Sequence, residues 1–312
     1  MLKPSIEEIR EIAASGDYRI CPVCREILSD FKTPVEVMRV LMNVSEHCYM
    51  LESADSSHRW GRYTFIGYDP KLDITCLNGR MRVGDLKFET DDPDMYIRQV
   101  LEEYRSPKIP GFPSFTGGLV GYFSYDYLKY SEPSLRLDAE DTEGFQDVDV
   151  MLFDKVIVFD NFAQKLLLIA NVNLAHLETE YNRVEMELKQ MEDLLRHGAP
   201  KKDLGGRMVS EVKPLFDREQ YCAMVEEAKR HIREGDIFQI VLSNRLEADF
   251  EGSLFNTYRV LRTLNPSPYM FYFSGSDMEV AGASPETLVK LEDGVLHTFP
   301  LAGTRPRGKT AE

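Results

Sequence analysis

The stretch KLDITCLNGRMRVGDLKF (71–88) restricts the fold more than any other. Asn78 and Gly79 separate two segments of alternating apolar and polar side chains, and Asn-Gly suits a two-residue turn with positive φ at both central positions. The segments therefore pair as an antiparallel hairpin. RYTFIGYDP (62–70) reads as a further strand, and DVDVMLFDKVIVFDNFAQKLLLIANV (147–172) as two long strands joined near residues 160–164. TPVEVMRVLMN (33–43) has the spacing of an amphipathic helix. Leu177, Tyr181, Val184, Leu188, Met191 and Leu195 predict another, stopping at Gly198.

The polar, Gly-rich GAPKKDLGGR (198–207) marks a linker, set at 201–212 between an N-terminal region of residues 1–200 and a second unit at 213–312. The second unit opens with Asp217 as N-cap and Gln220 three residues on, and its helix ends at Gly235. IFQIVLSNRLEADF (237–250) then reads as a strand with Gln239, Val241 and Ser243 on one side. A helix at 253–263 and three strands, YMFYFSG (269–275), EVAGASPETLVKLE (279–292) and VLHTFPLAG (295–303), follow. Helices mix with antiparallel strands without regular βαβ alternation, so the expected class is α+β.

A net charge of −15 argues against nucleic acid, which needs a concentrated basic surface, though PLAGTRPRGK (300–309) is locally cationic and suits a small anion. No window approaches the ~20 apolar residues of a membrane span. The charged N-terminus lacks a signal-peptide core, and five irregularly spaced Cys predict free thiols in a reducing cytoplasm. Cys21 and Cys24 form one CxxC, but no second CxxC or HxxxH completes a zinc site. The six His stand outside any catalytic pattern.

SPET (284–287) and LAGT (301–304) each place a polar residue after an apolar strand. Glu286 suits a buried acid with a raised pKa, and Gly303 and Thr304 suit donors to a carboxylate. From spacing alone, two ordinary β-turns explain the same residues.

GDIFQIVLSNR (235–245), NPSPYMFYF (265–273), GASPETLVKL (282–291) and PLAGTRPRGKT (300–310) resemble the chorismate-utilising enzymes, in particular component I of anthranilate synthase. MLESADSSHRWGRYTFIG (50–67) and GGLVGYFSYD (117–126) resemble that subunit's N-terminal motifs, so the resemblance covers the whole chain. Isochorismate and salicylate synthases carry a Lys where this chain has Gln239, and aminodeoxychorismate synthases commonly carry one where it has Ala302. Neither an amide nor a methyl can act as a base or nucleophile, which leaves ammonia as the attacker.

The resemblance implies an α+β chorismate-binding fold and a lyase that converts chorismate and ammonia to anthranilate and pyruvate with Mg²⁺. Glu286 would protonate the leaving hydroxyl, Gln239 would stand at the amination position, and Gly303 and Thr304 would contact chorismate. Leu51, Glu52, Ser53, Pro268, Tyr269 and Met270 match the L-tryptophan feedback site, or else merely pack two domains together. The implied partner is a glutamine amidotransferase, with GGLVGYFSYDY either part of that contact or core. Family members extend well past TRPRG, and the metal ligands and elimination base belong to that extension. These 312 residues are therefore expected to be inactive alone. The rival readings are aminodeoxychorismate synthase component I and a non-catalytic tryptophan-binding regulatory fragment.

Overall fold

The computed structural model describes residues 2–53, 61–132, 134–135, 141–202, 205–275, 277–301 and 310. Contacts divide the chain into Met1–Lys202 with Tyr258–Glu312, and Asp203–Thr257. Strands at 269–274 and 279–284 thus join the N-terminal sheet, a course different from the expected split at 201–212.

In chain order the first unit holds β1 (Leu2–Lys3), α1 (Ile6–Ala14), β2 (Ile20–Leu28), α2 (Pro34–Leu41), β3 (Cys48–Glu52), β4 (Tyr63–Tyr68), β5 (Leu72–Leu77), β6 (Arg80–Val83), β7 (Leu86–Glu89) and α3 (Pro93–Glu103). Then come β8 (Gly118–Phe123), α4 (Leu128–Ser131), β9 (Val148–Phe153), β10 (Lys155–Asp160), β11 (Lys165–Asn173) and α5 (Leu177–His197). The other unit has β12 (Gly206–Met208), β13 (Lys213–Pro214), α6 (Arg218–Glu234), β14 (Leu246–Glu247) and β15 (Phe250–Gly252). Helix α7 (Phe255–Leu264) leads back to β16 (Tyr269–Ser274), β17 (Glu279–Ser284), β18 (Lys290–Glu292) and β19 (Val295–His297).

The large sheet runs β1-β2-β11-β10-β4-β3-β16-β17, and a second runs β7-β6-β5-β9-β8. Every pairing in both is antiparallel, so the class is α+β. The β5–β6 turn uses Asn78 at φ 50° and Gly79 at φ 77°, the mirror-image turn that matches strand twist. Thr33 caps α2 and Asp217 caps α6, each in a reciprocal capping box with Glu36 or Gln220. Gly235 ends α6 in the left-handed conformation, φ 85°.

The apolar run at 147–172 forms three strands rather than two. The chain crosses at Asp154 from β9 in the second sheet to β10 in the first. A continuous apolar run carries no mark of such a crossing, because both strands are buried on both sides of it.

The two sheets share a core. Tyr49 and Phe273 of the large sheet meet Val120, Met151 and Phe153 of the second, with Leu51 packed beside them. On the other side of the large sheet, α5 packs on β11 and α2 on β3 and β4. Helix α5 buries Val184, Leu188, Met191 and Leu195 there, the predicted stripe.

Cys21 and Cys24 both lie on β2. Three residues apart on a strand, they face opposite sides, so they form neither a metal pair nor a redox pair. Burial pushes both thiols up to about 12. No described helix is long and apolar enough to cross a membrane.

Candidate functional site

Strand alternation decides which predicted residues meet. β3 lies antiparallel to β16 with Leu51 opposite Phe271 and Glu52 opposite Met270, so the LES and PYM motifs form neighbouring rungs of one ladder. Their side chains split between the faces. Leu51 packs into the core between the sheets. Tyr269 shares that face by alternation, and its hydroxyl hydrogen-bonds the Thr287 hydroxyl. Glu52 and Met270 point to the helix-covered face, Met270 fully buried. Pro268 and Ser53 are half-buried at the strand ends.

Glu52 is held from α7. Arg262 Nε lies 2.5 Å from Oε1 and Nη2 donates to Oε2 at 2.8 Å. The Tyr258 hydroxyl donates to Oε1 at 2.5 Å. Tyr258 is itself fully buried near Tyr272, ring centroids 5.9 Å apart. Desolvation, reinforced by the Glu52 charge, pushes the Tyr258 hydroxyl well above its ordinary pKa, so it stays a donor. Sequence reasoning missed Tyr258 and Arg262. Their spacing of four along a helix was the available signal, since it puts both on one face.

Glu286 is exposed, not buried as expected. It follows β17, which ends at Ser284, and the strand predicted over 279–292 breaks there. Pro285 lacks the N–H a continuing ladder would need. The Glu286 carboxylate accepts the Leu301 N–H at 3.2 Å. With Tyr63, Phe65, Phe112, Tyr269, Leu288 and Lys290 it lines a cavity of about 580 Å³ with mixed aromatic and polar walls.

Gln239 is also exposed, and the strand predicted over 237–250 is absent apart from β14 and the start of β15. Phe238 is fully exposed beside it and Val241 nearly so. Among the described residues no strand pairs with residues 237–245, and an apolar run without a ladder partner cannot hold strand form. Gln239 lies in the Asp203–Thr257 unit and Glu286 in the other. Gly303 and Thr304 lie outside the described residues.

Mg²⁺ requires several oxygen ligands in octahedral array. Among the described residues the group close enough to bind a metal is His231, Glu234 and Asp236. His231 Nδ1 already bonds Asp236 at 2.7 Å and Glu234 pairs with Arg230. This set does not fit Mg²⁺, and no step is derived through the ion.

A second cavity, of about 220 Å³, is lined by Asp73, Asp149, Asp277, His47 and Arg82. Burial first, then Asp277 and Asp73, push Asp149 up to about 6, against Arg82 and His47. Its folded pKa exceeds the unfolded value near 3.9, so the native state binds more protons between about pH 4 and 6. This group's contribution to stability therefore falls as pH rises through that window and is level above it. Asp149→Asn is expected to melt higher than wild type at pH 7.5, with the gap closing by pH 4.5. Parallel melting curves across that range would contradict the environment described.

Residues 46–312 match the family profile of chorismate binding enzymes, and the chain belongs to that family. Within it, the chain is 34% identical over 330 residues to anthranilate synthase component 1 of Acetivibrio thermocellus, covering all of this chain and 65% of that protein. It is 36% identical over 332 residues to the protein of that name from Acinetobacter calcoaceticus, covering 99% and 64%. The crystal structure of anthranilate synthase component I from Streptococcus pneumoniae TIGR4 is similar at a TM-score of 0.66 and 31% identity, over 75% of this chain and 53% of that one. The chain thus spans somewhat less than two thirds of the length of these curated relatives.

Proposed function

We propose that this chain carries the N-terminal and first catalytic residues of an anthranilate synthase component I. That enzyme aminates chorismate with ammonia from a glutamine amidotransferase partner and releases pyruvate, in the cytoplasm. The observation that carries the reading is the uncharged pair Gln239 and Ala302 in a chorismate-binding framework. An amide cannot activate water, and a methyl cannot attack the ring. The names of the relatives support the same reading. Glu286 is the proposed acid for the leaving C4 hydroxyl, Gln239 stands at the amination position, and Gly303 and Thr304 are the proposed chorismate contacts. Disruption of the encoding gene is expected to leave a tryptophan auxotroph that anthranilate rescues. Rescue by para-aminobenzoate instead would overturn the reading in favour of aminodeoxychorismate synthase.

L-tryptophan is the proposed inhibitor, bound at the β3–β16 ladder by Leu51, Glu52, Ser53, Pro268, Tyr269 and Met270. A buried carboxylate on one face of the ladder and the half-buried apolar side chains of Leu51 and Tyr269 on the other support this. Because the side chains divide between two faces, Glu52 and Met270 carry contacts on the helix-covered side, and Leu51 and Tyr269 act from the core side. In calorimetric titration Ser53→Phe is expected to weaken L-tryptophan binding at least about tenfold, ~1.4 kcal/mol. Undiminished binding would refute the site.

A further inference from the structure

β9 carries an acid where its pattern calls for an apolar residue. Alternation sets Asp149 on the same face as Met151 and Phe153, which pack against the large sheet. The register extends that face into one polar rung: Tyr122 on β8, Asp149 on β9, Thr75 on β5 and Arg82 on β6. The far end of the β16–β17 hairpin lies over it. Met278 and Val280 pack against the shared core, and the ring centroids of Phe273 and Tyr122 lie 6.2 Å apart. Gly275 and Asp277, from the turn between the two strands, wall the cavity of about 220 Å³ that Asp149 lines.

This hairpin end is held by apolar contact and pushed by charge. Asp277 on the turn and Asp73 on β5 both act on Asp149 as like charges. Arg82 and His47 oppose them, but Arg82 is shared with Asp73 at 3.9 Å. Tyr122 brings no charge, since burial and then Asp149 hold its hydroxyl proton well above the ordinary range. Thr75 and Gln146 add neutral walls, and Asp147, two residues earlier, is held by Lys129 and Tyr130. When ionised, the half-buried Asp149 meets two carboxylates and gives up water; when protonated, it does neither.

β16 is paired on both sides, with β3 and β17, whereas β17 is the edge of the sheet. We propose that the turn and the first residues of β17 form a proton-sensitive flap on the second sheet: they stay down while Asp149 is neutral and lift when it is charged, letting water reach the carboxylate. The flap runs on through Ser284 into the turn that carries Glu286, so the proton on Asp149 bears on how firmly that turn is anchored. With the flap down, burial and then Asp277 and Asp73 push Asp149 up to about 6. With it lifted, the group returns toward its ordinary value of about 3.9. The closed form thus binds more protons, and closure weakens as pH rises through about 4 to 6. From pH 7.5 down to pH 5 the lifted fraction falls about tenfold.

Hydrogen exchange read by mass spectrometry on a peptide covering β17 tests this, each rate divided by that of the unfolded peptide at the same pH. Wild type should be about tenfold better protected at pH 5 than at pH 7.5. Asp149→Asn should keep the high protection at both. Asp277→Asn, on the exposed turn, should raise protection at pH 7.5 and shrink the step. A peptide covering β10, in the middle of the same sheet, should show no such step. Equal wild-type protection at both pH values, a step that persists in Asp149→Asn, or a step of the same size in β10 would each overturn the flap. Should Asp149→Asn fail to fold, by its melting curve, Asp277→Asn decides alone, and an unchanged step refutes the proposal.

Discussion

Residues 1–312 by themselves, given chorismate, an ammonium salt and Mg²⁺, are expected to release no anthranilate above background, measured by its fluorescence. The reason lies in the surroundings of the two proposed catalytic side chains. Glu286 is open to water, outside the enclosed setting in which a general acid is held against its leaving hydroxyl. General-acid help of that kind contributes ~10²–10⁴ in rate. Gln239 stands beside a fully exposed Phe238, on a run with no ladder partner among the described residues, so nothing fixes its amide against a ring. Preorganisation in a water-poor site is the larger part of such catalysis, and it is missing from both places. Turnover at an ordinary enzymatic rate, about 1 s⁻¹ or faster, would show that Glu286 and Gln239 become enclosed when substrate binds, and would contradict this account.

Phe153→Ala is expected to cost about 3–5 kcal/mol, a fall in melting temperature on the order of 10 °C for a chain of this size. Phe153 is fully buried where β9 ends, its ring edge-on to Tyr49 with centroids 4.7 Å apart. Val120, Met151 and Phe273 complete the cluster that joins the sheets. Removing the ring leaves a void that strands on both sides are too well paired to collapse into. Met186→Ala, on the solvent side of α5, is the matched control and should stay within about 0.5 kcal/mol of wild type. A cost below about 1 kcal/mol for Phe153→Ala would mean that the sheets do not depend on this shared core.

Local chemistry made much of the fold legible. Asn78-Gly79, the Asp217 cap, Gly235 and the α5 stripe each act over a few residues, so their sequence signals are complete in themselves. Asp154, where the chain changes sheets, lies within an unbroken apolar run, and only tertiary pairing distinguishes the strands on either side. The same holds for the site. Sequence motifs named LES and PYM, and the ladder sets them side by side. Alternation then sends Leu51 and Glu52 to opposite faces, which motif matching does not track. Tyr258 and Arg262 escaped notice because nothing in their own sequence says that helix α7 ends over Glu52. Glu286 and Gln239 were named for their chemistry, but burial, which that chemistry needs, is a property of neighbours far along the chain.

The five thiols are all free, and four of them are buried; Cys222 on α6 alone is exposed. A maleimide dye added to native protein would therefore couple at one place without mutagenesis, giving a fluorescence reporter on the Asp203–Thr257 unit. Appearance of further labelled sites during denaturant titration would then time the opening of the large sheet through Cys21, Cys24 and Cys48, and of the second sheet through Cys76.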